Sequence, residues 1–169
     1  MDAVEFVRQL VTAVRHQTND PMKNITLAQF NWAPPGTASP ISAVFIHLLN
    51  SEDYFFQNVI QGKPKIWEAG GWAEKTGVKN FPDYGGDWDE FKGMTLALEP
   101  VLAYQRAVYA ATDSYLDKLT SDKLDRKVKF AGGEHSVAAM IIHTTSHTVC
   151  HAGEIAVLKG IQGVKGLPY

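Results

Sequence analysis

Apolar residues recur every three or four positions, the spacing of a helix face, along four long stretches of the chain. The stretches cover about residues 2–17, 39–62, 98–119 and 137–159. Turn chemistry around Asp20-Pro21 is expected to end the first. Ser39-Pro40 opens the second and Gly62 closes it, because serine suits an N-cap, proline the first helical position and glycine the residue after a helix. The pattern predicts four long amphipathic helices.

The fourth stretch is predicted to begin after Ser136 as its N-cap and to end at Lys159-Gly160. Two shorter segments complete the pattern: a helical piece at 25–32, and a helical turn followed by an extended piece at 121–130. Strand signals are almost absent, which favours an all-α fold.

The connection at 62–93 differs in kind, because it is rich in glycine and in large aromatic residues. These aromatics are Trp67, Trp72, Phe81, Tyr84, Trp88 and Phe91. A connection this long inside a compact domain is usually functional or disordered, and its aromatic content argues against disorder. We expect an irregular, packed segment that covers one end of the helices as the wall or lid of a pocket.

These elements predict a single domain, residues 1–169, with an all-α four-helix-bundle fold. The long crossover between the second and third helices permits an up-down-down-up order, in which those two helices run parallel. No internal repeat or linker divides the chain.

Composition excludes several classes of protein. A formal net charge of −2 gives no reason to expect a nucleic acid or an anionic membrane as partner. No signal peptide is visible, and no apolar run approaches the roughly 20 residues of a membrane helix. The single cysteine, Cys150, excludes internal disulfides and suits a cytoplasmic location. Its place on the fourth helix predicts a small core residue.

Candidate chemistry is concentrated in the fourth helix, where His143, His147 and His151 follow one another at four-residue steps. Each step advances about 40° past a full turn, so the three imidazoles lie along one slowly drifting stripe. That stripe continues to Met140 and Leu158, and it should therefore face the core. Two histidines at i and i+4 on a helix can hold one metal ion.

A lone pair of such histidines is more often half-buried and inert. Here His47 adds a further imidazole in the apolar second helix, and facing helices of a bundle commonly build metal sites. Three neutral imidazoles leave a coordination position open, as in catalytic sites. Spacing alone does not choose which three of the four histidines bind. His16 and His135 lie near segment ends and are expected to face solvent.

The chain resembles the DinB-like (DinB/YfiT) superfamily, which includes mycothiol- and bacillithiol-dependent transferases. The resemblance covers nearly the whole length. It is carried by the segment Asn31-Trp32-Ala33-Pro34-Pro35, by Ile46-His47-Leu48 with Glu52 following, and above all by the fourth helix. There the chain is similar to the family string H-x-x-x-H-x-x-x-H-x-G-Q-I, with Glu154 where glutamine is usual.

The resemblance implies a four-helix bundle with a divalent metal, zinc or nickel, held by His47, His147 and His151. His143 then becomes a neighbour of the metal site. The family also implies a homodimer as an expectation, and activities that include transfer of a low-molecular-weight thiol to an electrophile and isomerisation of maleylpyruvate. Glu154 leaves the metal ligands untouched but removes any role tied to the glutamine amide.

The first interpretation is an enzyme that binds a small-molecule substrate and uses a low-molecular-weight thiol as cosubstrate. The same metal could instead activate water for hydrolysis. Glu52 and His143 are the candidate catalytic proton carriers, although Glu52 could simply bond to a helix neighbour. The aromatics of the long connection either pack together or contact a ligand. Two further alternatives are a non-catalytic metal-binding or stress-response module, and a structural bundle whose histidines hold no metal.

Overall fold

The computed structural model describes residues 1–79, 81 and 88–167. The described chain is mostly helical and includes one two-stranded antiparallel sheet. The α-helices are α1 (Ala3–Met22), α2 (Leu27–Phe30), α3 (Ile41–Asp53), α4 (Ile66–Ala69), α5 (Trp72–Thr76), α6 (Asp89–Lys92), α7 (Leu98–Leu116), α8 (Ser121–Asp125) and α9 (Val137–Ile161). A π-helix (Tyr54–Ile60) continues α3, and the strands are β1 (Lys127–Phe130) and β2 (Gly133–Ser136). None of the described helices combines the length and apolar character that crossing a membrane requires.

The first helix is longer than the turn residues predict. Asp2 caps its start by accepting the Glu5 N–H at 2.8 Å. At the other end α1 runs through Pro21 to Met22 before it stops. A proline in the last turn removes only one intrahelical hydrogen bond, and burial of the Pro21 and Met22 side chains favours continuing the helix. The expectation that the helix ends at Asp20-Pro21 is therefore wrong.

The second long segment is predicted as one helix and is instead an α-helix followed by a π-helix. The N-cap is Pro40, without a side-chain capping bond, and not Ser39. The Pro40 carbonyl accepts the N–H groups of Ala43 and Val44, the first hydrogen bonds of the helix. Ser39 therefore lies one residue too early to be the cap. Gly62 follows the π-helix with a φ of +66°, as expected of a glycine that ends a helix.

A short hairpin adds a small sheet to the mostly helical fold, and its first strand, β1, is the extended piece predicted at the end of residues 121–130. β1 and β2 pair antiparallel, and Phe130 stands opposite Gly133. The two loop residues, Ala131 and Gly132, both have positive φ values, +48° and +78°, as a type I′ turn requires. Strands of four residues are too short to show a convincing alternation, and alanine is an unusual residue at positive φ.

The long helices pack around α9. It lies against α1 and α3, and α3 also lies against α7. Phe30, Phe45 and Tyr104 are fully buried in the core between them. Asn31 belongs to one of the sequence segments that carry the resemblance. Its side-chain amide donates to the Leu96 carbonyl and accepts the Leu96 N–H, which fixes the backbone just before α7. The up-down-down-up helix order stays a prediction.

The boundaries of α9 agree only in part with the sequence. Ser136 caps the helix as predicted, accepting the Ala139 N–H at 3.1 Å. The helix passes the predicted end at Lys159-Gly160 and stops at Ile161. Cys150 is exposed, so its prediction as a core residue is wrong.

Candidate metal centre

Three imidazoles from two helices converge on one point. His47 lies on α3, while His147 and His151 lie one turn apart on α9. The Nε2 atom of His147 is 3.1 Å from that of His47 and 3.1 Å from that of His151. The ligand atoms of all three side chains lie within 4.8 Å of one another. The structure therefore brings together the three residues that the resemblance implies.

These spacings match the dimensions of a mononuclear metal site. With metal–nitrogen distances of about 2.1 Å, two ligand nitrogens are about 3.4 Å apart in tetrahedral geometry and about 3.0 Å apart at a right angle. The observed 3.1 Å lies between these values, so the His47–His147 and His147–His151 spacings fit either geometry. The described side chains form no other group of three or more metal-ligating residues this compact.

Two of the three histidines are held in the neutral form that can bind a cation. Burial lowers the pKa of His47 to about 3, and the nearby His151 and His147 rings add to the shift. Burial also lowers the pKa of His147 to about 4, with contributions from His151 and His143. Both imidazoles are therefore neutral at pH 7, the form in which histidine binds metals.

Glu154 fixes the orientation of the third imidazole. Its Oε2 is 2.9 Å from His151 Nδ1, three residues earlier on α9. A proton on Nδ1 donated to this carboxylate leaves the Nε2 lone pair directed at the other two histidines. By contrast, the Nδ1 atoms of His47 and His147 are buried without a hydrogen-bond partner among the described residues.

His143 lies beside the cluster but is not part of it. Its ring centroid is 4.9 Å from that of Phe55 in the π-helix and 5.7 Å from that of Phe130 in β1. Its effect on the pKa of His147 shows that the two imidazoles are close enough to interact. Of the other histidines, His16 is exposed as expected, and His135 is half-buried.

Glu52 is engaged elsewhere in the structure. The residue is 4% exposed, and its carboxylate accepts a 2.6 Å hydrogen bond from Arg15 on α1. Arg15 also pairs with Asp113 on α7, so the guanidinium joins three helices. No hydrogen bond links Glu52 to a histidine of the cluster in the part of the chain that the structure describes. The bond to Arg15 is the structural role that the sequence left open, although the partner is on another helix.

The aromatic connection reaches the histidines through Trp88. The Trp88 ring stands edge-on to His47, with centroids 4.4 Å apart, and packs on Phe81 and Phe91 behind it. Trp67 packs instead on Phe81 and on Tyr104 of α7. Tyr84, another aromatic predicted for this wall, lies outside the described residues.

A buried carboxylate that the sequence did not single out anchors this connection. Asp53 accepts the N–H groups of Ile66 and Trp67 at 2.8 and 2.9 Å and the Tyr104 hydroxyl at 2.7 Å. It is fully buried at the junction between α3 and the π-helix. The signal available for it was its place in the apolar row of Leu49 and Phe56, four residues before and three residues after it. For the partner of His151, the signal was Glu154 in place of glutamine.

Comparisons with known proteins agree on the family and the fold. A model of the DinB superfamily matches residues 10–155. No curated protein sequence matches the chain. Among solved structures, a conserved protein from Enterococcus faecalis superposes with a TM-score of 0.78 at 17% identity, covering 96% of this chain and 99% of the other. A DinB-like protein from Bacillus subtilis gives a TM-score of 0.57 at 19% identity, covering 95% and 96%. At these identities the solved structures support the fold alone.

Proposed function

The chain belongs to the DinB superfamily, and from this premise we propose that it is a divalent-metal-dependent enzyme that transfers a low-molecular-weight thiol to an electrophilic small molecule. The observation that carries the proposal is the convergence of His47, His147 and His151. Three imidazoles would occupy fewer positions than a tetrahedral or octahedral ion offers, which leaves room for a substrate to bind. Zinc and nickel are both metals that imidazole nitrogens bind.

The chemistry needs a deprotonated sulfur beside an electrophilic carbon. A divalent ion held by His47, His147 and His151 would supply the positive charge that lowers the pKa of a bound thiol or water. The thiol proton passes to a base and the sulfur attacks the carbon. As the carbon–sulfur bond forms, the bond from that carbon to its leaving group breaks, and the leaving group departs with the bonding electrons and takes up the proton from the base. Trp88 walls the side of His47, where it limits access of water and offers an apolar surface to the electrophile.

His143 is the better placed of the two proton carriers. It stands one helical turn before His147 and is half-buried, with no protein hydrogen bond among the described contacts. Glu52 is bound to Arg15, and this hydrogen bond occupies one of its carboxylate oxygens. We therefore assign proton transfer first to His143, and the catalytic role of Glu52 stays a prediction.

Two alternatives keep the metal centre and change the chemistry at the bound ion. With water in place of the thiol, the same geometry would make a hydrolase of the family. A metal-binding or stress-response module would bind the ion without turnover. The Trp88–His47 contact favours an enzyme over a module, because an aromatic wall beside an open metal position shapes a substrate site.

Metal content tests the centre directly. Protein purified without a nickel column is expected to contain about one divalent ion per chain by elemental analysis. His47→Ala and His151→Ala should lose it, while His16→Ala, which changes an exposed histidine, should keep it. Folded wild-type protein that takes up no zinc or nickel would end both the enzyme and the module proposals.

Turnover separates the enzyme from the module. The metal-loaded protein is incubated with several low-molecular-weight thiols and an electrophile, and free thiol is counted. His143→Gln should lower kcat while leaving the metal content unchanged. Cleavage of esters or amides without thiol loss would favour the hydrolase, and no reaction in either assay would favour the module.

The remaining expectations concern partners and place. A second copy of the chain is the partner we propose, because α9 exposes Ile142, Val149 and Val157. Sedimentation of wild type and Val157→Arg tests this, with dissociation expected for the variant. A cytoplasmic location stays a prediction.

A further inference from the structure

A cavity of about 500 Å³ lies among the π-helix, the end of α7 and α8. Its lining shares no residue with the three histidines. The volume falls within the range of small-molecule sites in proteins, about 300–1,000 Å³. The cavity therefore has the size of a ligand site and lies apart from the candidate metal centre.

The lining is strongly basic. Four cations reach the cavity from separate segments: Lys63 after the π-helix, Lys118 after α7, Lys123 in α8 and Arg126 after it. No carboxylate lines it. None of the ion pairs found among the described residues includes any of these four side chains. In a chain whose net charge is −2, this is a local accumulation of positive charge.

Hydrogen bonds to uncharged oxygens hold three of these cations in place. Lys123 donates to the Lys118 carbonyl at 2.6 Å, and Lys63 donates to the Gln61 amide oxygen at 2.8 Å. Arg126 donates to the Ile60 carbonyl at the end of the π-helix. Cations are favourable at the C-terminal ends of helices, which accounts for their presence. These bonds orient the cations without neutralising them, and each side chain keeps further N–H donors.

The charge at helix ends does not explain the buried amide of Gln57. Its side chain lines the cavity and is only 4% exposed. The amide oxygen accepts a hydrogen bond from Gln61, but the amide Nε2 is buried without a partner among the described residues. A buried donor without an acceptor is costly unless something else supplies one. Tyr115 adds a hydroxyl whose pKa is raised by burial, so it too is a donor at neutral pH.

We propose that this cavity binds a small molecule that carries a phosphate group, with Lys63, Lys118 and Arg126 around the phosphate and Gln57 donating to it. A phosphate offers three oxygens and nearly two negative charges, which matches donors that converge from several segments. A single carboxylate has two oxygens and one charge, and would leave most of these donors unused. The proposal does not depend on the thiol chemistry proposed for the histidines.

Titration calorimetry with inorganic pyrophosphate at fixed ionic strength tests the site. One variant, Lys63→Gln with Lys118→Gln, removes two exposed cations of the cavity. Its matched control, Lys23→Gln with Lys79→Gln, removes two exposed cations that do not line it. Gln57→Glu replaces the unpartnered donor by an acidic group of similar shape. A His147→Ala variant excludes binding of the probe to metal at the histidines, and circular dichroism checks the fold of each.

Saturable binding with a stoichiometry of about one is expected for wild type, for His147→Ala and for the lysine control. The Lys63/Lys118 variant and Gln57→Glu should each bind about tenfold more weakly or worse, because charge-assisted hydrogen bonds are lost. The proposal is overturned by an absence of saturable binding, by an equal loss in the lysine control, or by tighter binding of citrate than of pyrophosphate. None of the three outcomes depends on the metal content of the wild type, so this result is independent of the test of the metal centre.

Discussion

Removing the carboxylate behind His151 should weaken metal binding without removing a ligand. Glu154 Oε2 lies 2.9 Å from His151 Nδ1, and the geometry makes it the acceptor that holds this imidazole with Nε2 toward the cluster. In Glu154→Ala that acceptor is gone, and the ring is free to rotate or to carry its proton on Nε2. In Glu154→Gln the amide oxygen still accepts the hydrogen bond, and only the charge is lost.

The size of the effect follows from the exposure of the pair. Loss of a partner of this kind typically costs 10- to 100-fold in metal affinity, or about 1.4 to 2.7 kcal/mol. The Glu154 side chain is 40% exposed and His151 is 23% exposed, so solvent screens much of the charge. We therefore expect the lower end for Glu154→Ala, about tenfold. Glu154→Gln should lose less, about threefold, because it keeps the hydrogen bond.

Competition with a zinc chelator at pH 7 measures these affinities. Glu134→Ala is the matched control, because it removes an exposed carboxylate from β2 with the same change in net charge. The control should bind zinc as the wild type does. Wild-type affinity in Glu154→Ala, together with loss of zinc in His151→Ala, would refute the orienting role of Glu154. Equal losses in Glu154→Ala and Glu154→Gln would mean that charge, rather than the hydrogen bond, sets the affinity.

Two further predictions concern buried titratable side chains. Glu52→Gln should destabilise the fold by about 3 kcal/mol in urea unfolding and leave the metal content unchanged. This value is the low end for a broken buried ion pair, because Asp113 still pairs with Arg15. Unchanged stability with a lost kcat would instead support Glu52 as the base. The metal-free protein should lose stability as pH falls from about 6.5 toward 4. Over this range the unfolded state takes up protons that His47 and His147 in the folded state do not, because their pKa values are lowered to about 3 and about 4. The thermal midpoint should fall less steeply with pH in His47→Gln with His147→Gln, and parallel curves of midpoint against pH for variant and wild type would contradict this.

The outer face of α9 shows why burial was harder to predict than helix formation. The stripe from Met140 to Leu158 is buried at both ends as predicted, but the helix has apolar residues on all sides, so its hydrophobic pattern does not mark the edges of the buried face. In the structure Thr145 and Thr148 are buried while Val149 and Cys150 are exposed. The threonine hydroxyls satisfy themselves by donating to the backbone carbonyls of Ile141 and Thr144, which makes their burial inexpensive. Sequence polarity alone therefore ranked these positions in the wrong order.

The choice of ligands among four histidines illustrates a second limit of the sequence. Spacing places His143, His147 and His151 on one stripe, but that stripe drifts by about 80° over the two steps. Contacts at both ends show that α3 and its π-helix run antiparallel to α9, because His47 meets His151 while Phe55 meets His143. A straight partner helix can follow the drifting stripe for only about one turn. His47 therefore joins the later two histidines, and His143 is left beside the candidate metal centre, facing the π-helix and β1.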